Sequence, residues 1–243
     1  MMVLAIIQAR TGSKRLPGKV LMKIINKPIL THIIESLRLS KQINKIIVAT
    51  TKLPEDNKIE KLCKDLNIEC FRGSDIDVLD RFYSCAQFFE GDLIVRLTGD
   101  NPLLDPTIID EIIEVCKKSE CDYATNVLHP TYPYGFSSCE VFPFRILKKL
   151  HNIVTDPMSR EHVTFHIRKN PNLYKIREIN APKNLIRPDW RLSVDYPEDM
   201  ELMKKIFSKL YQKGSFISYE KLVNFLDAQD ITQINHIHHT YEQ

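Results

Sequence analysis

Short, largely apolar runs alternate with longer amphipathic stretches along this chain, a pattern that predicts β-α-β units around a parallel sheet. Val3 to Ala9, Lys45 to Thr50, Ile68 to Phe71 and Leu93 to Leu97 each have strand length and few polar interruptions, as strands covered on both faces do. Between them, Ile29, Ile33 and Leu37 recur on one helical face, Ile59 and Leu62 on another, and Val78, Phe82 and Cys85 on a third. The first of these helices should start near Pro28, after an extended stretch from Val20 to Ile25. Asp105-Pro106 ahead of Ile108, Ile109, Ile112, Ile113 and Cys116 predicts a capped helix with proline in its first turn. The alternation breaks from about Asp122 to Phe144, where Pro130, Pro133, Gly135 and Pro143 stand among Tyr and Phe. A helix over about Ser159 to Asn170, a strand from Tyr174 to Ile179 and a Pro- and Lys/Arg-rich connection to Trp190 are expected next. A strand from Arg191 to Val194 and a helix from Pro197 to about Leu210 then restore the first pattern. The expected architecture is a single α/β domain over 1–243, mostly parallel, in which 122–189 is an inserted lobe that shapes a substrate site and an oligomer contact.

Composition narrows the partners. The 243 residues are 43% hydrophobic, enough for a substantial core in one folding unit. The 34 basic and 31 acidic residues leave a net charge of +3, and no basic tract interleaves with aromatics, which argues against nucleic acid. Met1 to Ala9 has no positive leader or cleavage pattern and stops at Arg10, so neither a signal peptide nor a membrane span is expected. A cytoplasmic protein without a membrane partner is the expectation. The six cysteines, at 63, 70, 85, 116, 121 and 139, form no CxxC pair and are read as reduced, buried thiols. His162 and His166 have i, i+4 spacing but lack the intervening Glu of a zinc protease. His236, His238 and His239 sit on a polar tail expected to be solvated. Neither group is read as a metal site.

The first candidate chemistry follows the first strand. Gln8-Ala9-Arg10-Thr11-Gly12-Ser13-Lys14-Arg15-Leu16-Pro17-Gly18-Lys19 joins an apolar strand to a small-residue, cation-rich loop, where ligands of open α/β sheets sit. Gly12 and Gly18 let backbone amides approach an anion, and Arg10, Lys14, Arg15 and Lys19 supply charge for oligophosphate oxygens. A Walker P-loop is excluded. Five residues separate Gly12 from Gly18 instead of four, and Val20 stands where a magnesium-binding hydroxyl is required.

Two downstream turns repeat one design. Thr98-Gly99-Asp100-Asn101-Pro102 places Asp100 just past a buried strand, and Val194-Asp195-Tyr196-Pro197 places Asp195 at a strand end before a helix. Both carboxylates should face the loop, and magnesium favours one or two carboxylates together with phosphate oxygens and water.

With these segments in hand, a resemblance can be named. The loop from Gln8 to Lys19 resembles that of the cytidylyltransferases acting on acidic sugars, especially the SpsF-like branch related to acylneuraminate and Kdo cytidylyltransferases. Arg96-Leu97-Thr98-Gly99-Asp100-Asn101-Pro102-Leu103 is similar to the branch's metal-binding turn, and Arg160-Glu161-His162-Val163-Thr164 to its substrate-side helix. Arg191-Leu192-Ser193-Val194-Asp195-Tyr196-Pro197-Glu198-Asp199 is similar to its second carboxylate segment, and Val78-Leu79-Asp80-Arg81 to a segment near the nucleotide. The resemblance runs in order over about residues 3 to 207.

It implies a Rossmann-like nucleotidyltransferase fold with a dimerisation lobe, a homodimer, and CTP and Mg2+ as substrate and cofactor. By resemblance, Arg10, Lys19, Asp100 and Asp195 are the catalytic set. Ala9, Arg10, Thr11, Gly12, Ser13, Lys19, Arg81, Thr98 and Asp100 would bind the nucleotide, and Arg160, Glu161 and His162 the acceptor. Asp100 and Asp195 would hold the metal. The implied reaction transfers CMP from CTP to an acidic, nonulosonic-acid-like sugar for surface polysaccharide or glycan synthesis. The acidic acceptor also suits Arg160, Arg168, Lys183 and Arg187. Other readings are a phosphorylated acceptor giving a CDP-linked product, and an inactive nucleotide-binding regulator. Three departures bear on the acceptor: Tyr196 replaces a Thr, Asn101 stands where the branch often has Cys, and Gly135-Phe136-Ser137-Ser138-Cys139-Glu140 lacks an expected Asp.

Overall fold

In the computed structural model, which describes residues 1–229 and 231–238, the apolar runs become strands of one seven-stranded sheet. In chain order the strands are β1 (Val3–Gln8), β2 (Lys23–Ile24), β3 (Lys27–Pro28), β4 (Lys45–Thr51), β5 (Glu69–Gly73), β6 (Leu93–Thr98), β7 (Tyr123–Thr125), β8 (Glu140–Pro143) and β9 (Ile176–Glu178). The helices are α1 (Ile29–Leu37), α2 (Asn57–Asp65), α3 (Val78–Phe88), α4 (Pro106–Ser119), α5 (Phe144–Ile153), α6 (Pro157–Glu161), α7 (Phe165–Lys169), α8 (Pro197–Leu210) and α9 (Tyr219–Gln229). The sheet order is β5-β4-β1-β6-β8-β7-β9, with β2 and β3 forming a separate two-stranded ribbon.

Strand β1 shows why its sequence is a continuous apolar run. Val3, Ala5 and Ile7 pack into one core with α1, α2, α4, α8 and α9, while Leu4 and Ile6 pack into a second core with α3 and α5. A strand with both faces covered has no polar side. Strands β5, β4, β1 and β6 are mutually parallel, and β8 then pairs antiparallel with β6. From β1 the chain first crosses to β4 on one side and later reaches β6 on the other. The carboxyl ends of β1 and β6 therefore flank a topological switch point, where open α/β sheets bind ligands.

Residues 122–189 contribute β7, β8 and β9 to this same sheet, together with α5, α6 and α7. Several expectations change here. The helix expected over Ser159 to Asn170 is broken into α6 and α7 at Val163, whose φ of 39° is rare for a β-branched residue and is held by complete burial of its side chain. His162 and His166 are thus not on one helical face. Arg191 to Val194 is not a strand; it makes one parallel bridge, from Tyr134 to Arg191. The stretch after the first loop starts with a 3-10 turn over Lys19–Leu21 before the short β2. Cys116 and Cys121 are joined as a disulfide, whereas Cys63, Cys70, Cys85 and Cys139 are free thiols. The tail is not simply solvated: Ile231–His238 packs against α8 with Asn235 buried, while His239 lies outside the described residues. Among the described residues no helix is long and apolar enough to cross a membrane.

Other expectations hold closely. Asp105 caps α4 by accepting the Thr107 amide at 2.9 Å, with Pro106 at the first helical position, and α8 spans Pro197–Leu210 as its pattern requires. The sequence 134–136 approaches 191–193 closely because Gly135 is glycine: its φ is 85°, and a Cβ there would lie 2.5 Å from the Ser193 nitrogen. Gly135→Ala is expected to destabilise the protein by about 2 kcal/mol or more, combining left-handed strain with a backbone collision. Chemical denaturation of the two proteins measures this; equal midpoints would refute it.

Candidate active site

The loop after β1 curls on itself, with the Ser13 and Gly18 amides both donating to the Thr11 carbonyl at 2.9 Å. Gly18 takes the left-handed conformation, φ 70°, that this turn requires. Asp56 moors the loop. One carboxylate oxygen accepts both the Thr11 amide and the Thr11 hydroxyl at 2.7 Å, and the other accepts the Thr51 hydroxyl at 2.5 Å. Burial alone would raise the Asp56 carboxyl, but these hydrogen bonds outweigh it and hold the pKa below the usual carboxylate range.

Lys19 leaves the end of this loop and reaches both downstream aspartates. Its ammonium lies 2.6 Å from Asp100 Oδ2 and 2.9 Å from Asp195 Oδ1. Asp100 is placed by the turn after β6, where the Gly99 amide donates to the Gln8 carbonyl at 2.9 Å. Asp195 is drawn alongside because the Val194 amide donates to the Asp100 carbonyl at 2.9 Å. Arg15 donates to Asp195 Oδ1 at 2.7 Å, and Arg191 binds its other oxygen. Burial would push the Asp195 carboxyl up, but Lys19 and Arg15 more than offset it and hold it at about 2. Burial lowers the Lys19 pKa, yet the two carboxylates prevail and leave it raised.

Two cavities meet at this cluster. The first, about 520 Å3, is walled by the loop residues Ala9, Arg10, Gly12, Ser13 and Lys19, with Arg81 and Thr98 opposite. The second, about 350 Å3, lies toward β8 and is walled by Arg96, Asn101, Tyr132, Tyr134, Phe136 and Arg168. Gln8, Arg15, Thr98, Asp100, His162 and Asp195 line both. Beneath the second cavity, buried Glu140 binds Arg96, Thr164 and, at 2.5 Å, the Tyr123 hydroxyl. Arg81 is 2% exposed, donates to the Ser74 carbonyl at 2.7 Å and has no partner for its Nε among the described residues. Burial, and then the Arg10 charge, lower its pKa to about 10.

The structure thus brings together Ala9, Arg10, Gly12, Ser13, Lys19, Arg81, Thr98, Asp100, His162 and Asp195. Two expected site residues point elsewhere. Thr11 is turned to Asp56, and Arg160 is consumed by Asp77, at 2.5 and 2.9 Å, and by the His151 and Val154 carbonyls at the end of α5. Glu161, expected at the acceptor, lines the first cavity, 3.7 Å from Arg10, and not the second. Of the arginines and lysines expected to favour an acidic acceptor, Arg168 reaches the second cavity, whereas Arg187 pairs with Asp227. Asp56, Glu140 and Asp199 also organise the site, each through contacts distant in sequence or buried beneath it. Only the Asp199 contact had a local signal, its position at the third residue of a Pro-started helix.

The donors present suit magnesium. Asp100 and Asp195 each offer one oxygen to a single cation position, which the Lys19 ammonium fills here, and Mg2+ accepts one or two carboxylates when phosphate oxygens complete its shell. Among the described residues no group of three or more His, Cys, Asp or Glu side chains is gathered as a metal site, so two carboxylates alone would hold a metal weakly and phosphate oxygens would complete its shell.

Comparison with known proteins matches residues 4–230 to the family model described as Cytidylyltransferase. The chain belongs to the cytidylyltransferase family. This cytidylyltransferase is 42% identical over 240 residues to an uncharacterised protein of Methanocaldococcus jannaschii, covering 97% of this chain and 95% of the relative. It is 34% identical over 230 residues to the spore coat polysaccharide biosynthesis protein SpsF of Bacillus subtilis, covering 93% and 94%. A solved cytidylyltransferase from Leptospira borgpetersenii superposes with a TM-score of 0.90 at 33% identity, covering 96% of this chain and 97% of that one. The nucleotidyltransferase fold is also shared with a CMP:2-keto-3-deoxy-manno-octonic acid synthetase solved with CTP, at a TM-score of 0.67 and 17% identity over 86% of this chain and 99% of that one.

Proposed function

We propose that this cytidylyltransferase transfers CMP from CTP to an acidic, nonulosonic-acid-like sugar and releases pyrophosphate, its product feeding synthesis of a surface polysaccharide. The observation that carries this reading is the position of Asp100 and Asp195 on the wall shared by a cation-lined and an aromatic-lined cavity. CTP lies in the first cavity with its β- and γ-phosphates against the loop amides, Arg10 and Lys19. Arg81, on the wall of the same cavity, places its positive charge beside the nucleotide. The sugar occupies the second cavity, its carboxylate toward Arg168 and a ring face against Tyr132 and Phe136.

In this arrangement the acceptor hydroxyl attacks the α-phosphorus in line with the departing pyrophosphate. Charge accumulates on the leaving oxygens, where Lys19 and Arg10 stabilise it. Asp195, held ionised by Lys19, Arg15 and Arg191, and Asp100 are the residues that would hold Mg2+. That ion supplies charge neutralisation at the α-phosphate and acidifies a nearby hydroxyl. His162 touches both substrates from the shared wall. The names of the SpsF relative and of the synthetase solved with CTP support the carbohydrate and cytidine parts of this reading. We place a homodimer contact on the 122–189 lobe, which exposes Ile153, Met158 and Leu173.

Pyrophosphate release with CTP, UTP, ATP and GTP against acidic sugars and phosphate monoesters, with and without Mg2+, tests the proposal. Release is expected with CTP, an acidic sugar and Mg2+ together. Turnover with a purine nucleotide but not CTP would remove the cytidylyl assignment. Turnover with phosphate monoesters alone would replace the acceptor class, and metal-independent turnover would remove Asp100 and Asp195 from metal binding.

A further inference from the structure

The Ile231–His238 segment is remote in sequence from the loop after β1, yet two separate sets of contacts carry it to Asp195. The first runs through Asn235, which is 1% exposed. Its amide nitrogen donates to the Arg191 carbonyl at 2.9 Å and to Asp199 Oδ1 at 2.7 Å. Asp199 is fully buried. Its Oδ1 also accepts Arg191 Nε at 3.2 Å, and its Oδ2 accepts the Asp195 and Tyr196 amides at 2.8 and 2.9 Å. Arg191 in turn binds the Asp195 carboxylate. Both the backbone and the side chain of Asp195 are therefore set by groups that Asn235 holds.

The second set runs through His238. Its ring stacks on Tyr196 with centroids 3.8 Å apart and planes at 6°, and its Nε2 lies 3.1 Å from Glu198 Oε2. The Arg15 guanidinium lies over the same Tyr196 ring, 5.4 Å from the centroid, and reaches Asp195 Oδ1 at 2.7 Å. A threonine at 196, the residue usual in the branch this chain resembles, would offer no ring to either partner. A guanidinium over an aromatic face and two parallel rings are both favourable arrangements that need this side chain.

We infer that the C-terminal segment is a positioning strap for Asp195: Asn235 acts through Asp199 and Arg191, and His238 through Tyr196 and Arg15. This rests on the reading of Asp195 as a carboxylate that meets the metal–triphosphate complex. Neither Asn235 nor His238 touches substrate; each fixes the direction in which a charged group presents itself. A displacement of a fraction of an ångström at such a group is felt in the transition state more than in substrate binding.

The experiment uses full-length protein carrying Asn235→Ala, His238→Ala or His238→Phe, at a temperature where circular dichroism shows each to be folded. Free Mn2+ measured by electron paramagnetic resonance gives the metal affinity of the protein–CTP complex, and steady-state assays give kcat and the acceptor KM. Asn235→Ala is expected to weaken Mn2+ binding about tenfold and lower kcat by a similar factor, with the acceptor KM within twofold. His238→Ala should act in the same direction, and His238→Phe, which keeps the stacked ring, should restore most of the loss. Variants that melt at lower temperature but keep wild-type Mn2+ affinity and kcat would overturn the positioning role while leaving the cytidylyltransferase reading intact. A wild-type protein that binds no Mn2+ in the presence of CTP would overturn both.

Discussion

Lys19→Met is expected to reduce CTP-dependent pyrophosphate release by about 100- to 1,000-fold, the usual cost of removing one preorganised charge from a developing anion. Lys19 is nearly buried and held by two carboxylates, so its ammonium is fixed in place on the cavity wall before any ligand arrives. A second effect has the opposite sign. The ammonium stands 2.6 and 2.9 Å from Asp100 and Asp195, the carboxylates that would hold a divalent ion and supply it with negative charge. Removing it leaves two carboxylates facing each other with less compensation, and Mn2+ binding in the absence of nucleotide should tighten at least several-fold. Titration of Mn2+ into both proteins without CTP measures this. A variant with unchanged turnover, or with weaker nucleotide-free Mn2+ binding than wild type, would contradict the role given to Lys19.

Asp195→Asn is expected to be nearly inactive and less stable, because it leaves Lys19, Arg15 and Arg191 around a neutral carboxamide. The stability component has a defined pH dependence. A carboxyl held at about 2 in the folded protein and near 4 when unfolded contributes roughly 2 kcal/mol when ionised in both states. That contribution is fully present above about pH 4 and is lost as pH falls through the folded value near 2. The gap in unfolding free energy between wild type and variant should therefore narrow between about pH 4 and pH 2. A gap that stays constant across this window would mean that Asp195 is not held ionised by its cationic neighbours.

Much of the site was legible because its parts are local. An apolar run ending in Gln8-Ala9-Arg10 and a second ending in Thr98-Gly99-Asp100 each declare a strand end that sheet geometry brings to one place, and the Pro-started helix marks Asp195, which the Val194–Asp100 backbone bond draws alongside. The organisers of those parts were not legible. Asp56 meets Thr11 across 45 positions, and Asn235 meets Arg191 across 44, by contacts that no periodicity encodes. Arg160 carried a plausible charge beside Glu161 and His162, but the requirement to satisfy the last carbonyls of α5 and the Asp77 carboxylate directed it inward. The break at Val163 has no local sign, since its pattern continues a helix and only burial in the second core imposes the turn. The Cys116–Cys121 disulfide depends on how closely the end of α4 returns toward β7, which spacing alone does not fix.

The Glu140 network has a consequence for how such enzymes diversify. Its partners Arg96, Tyr123 and Thr164 come from β6, β7 and the turn between α6 and α7, so the base of the second cavity is charge-balanced by framework residues. The residues above it, Tyr132 through Ser138, belong instead to a connecting loop. Substitution of half-exposed Tyr134 can reshape this cavity without stranding a buried charge, whereas Gly135 is fixed by its left-handed turn and Phe136 by its place in the core. Under the proposed function, new acceptors can be explored by change at such exposed positions, while the nucleotide cavity is inherited unchanged.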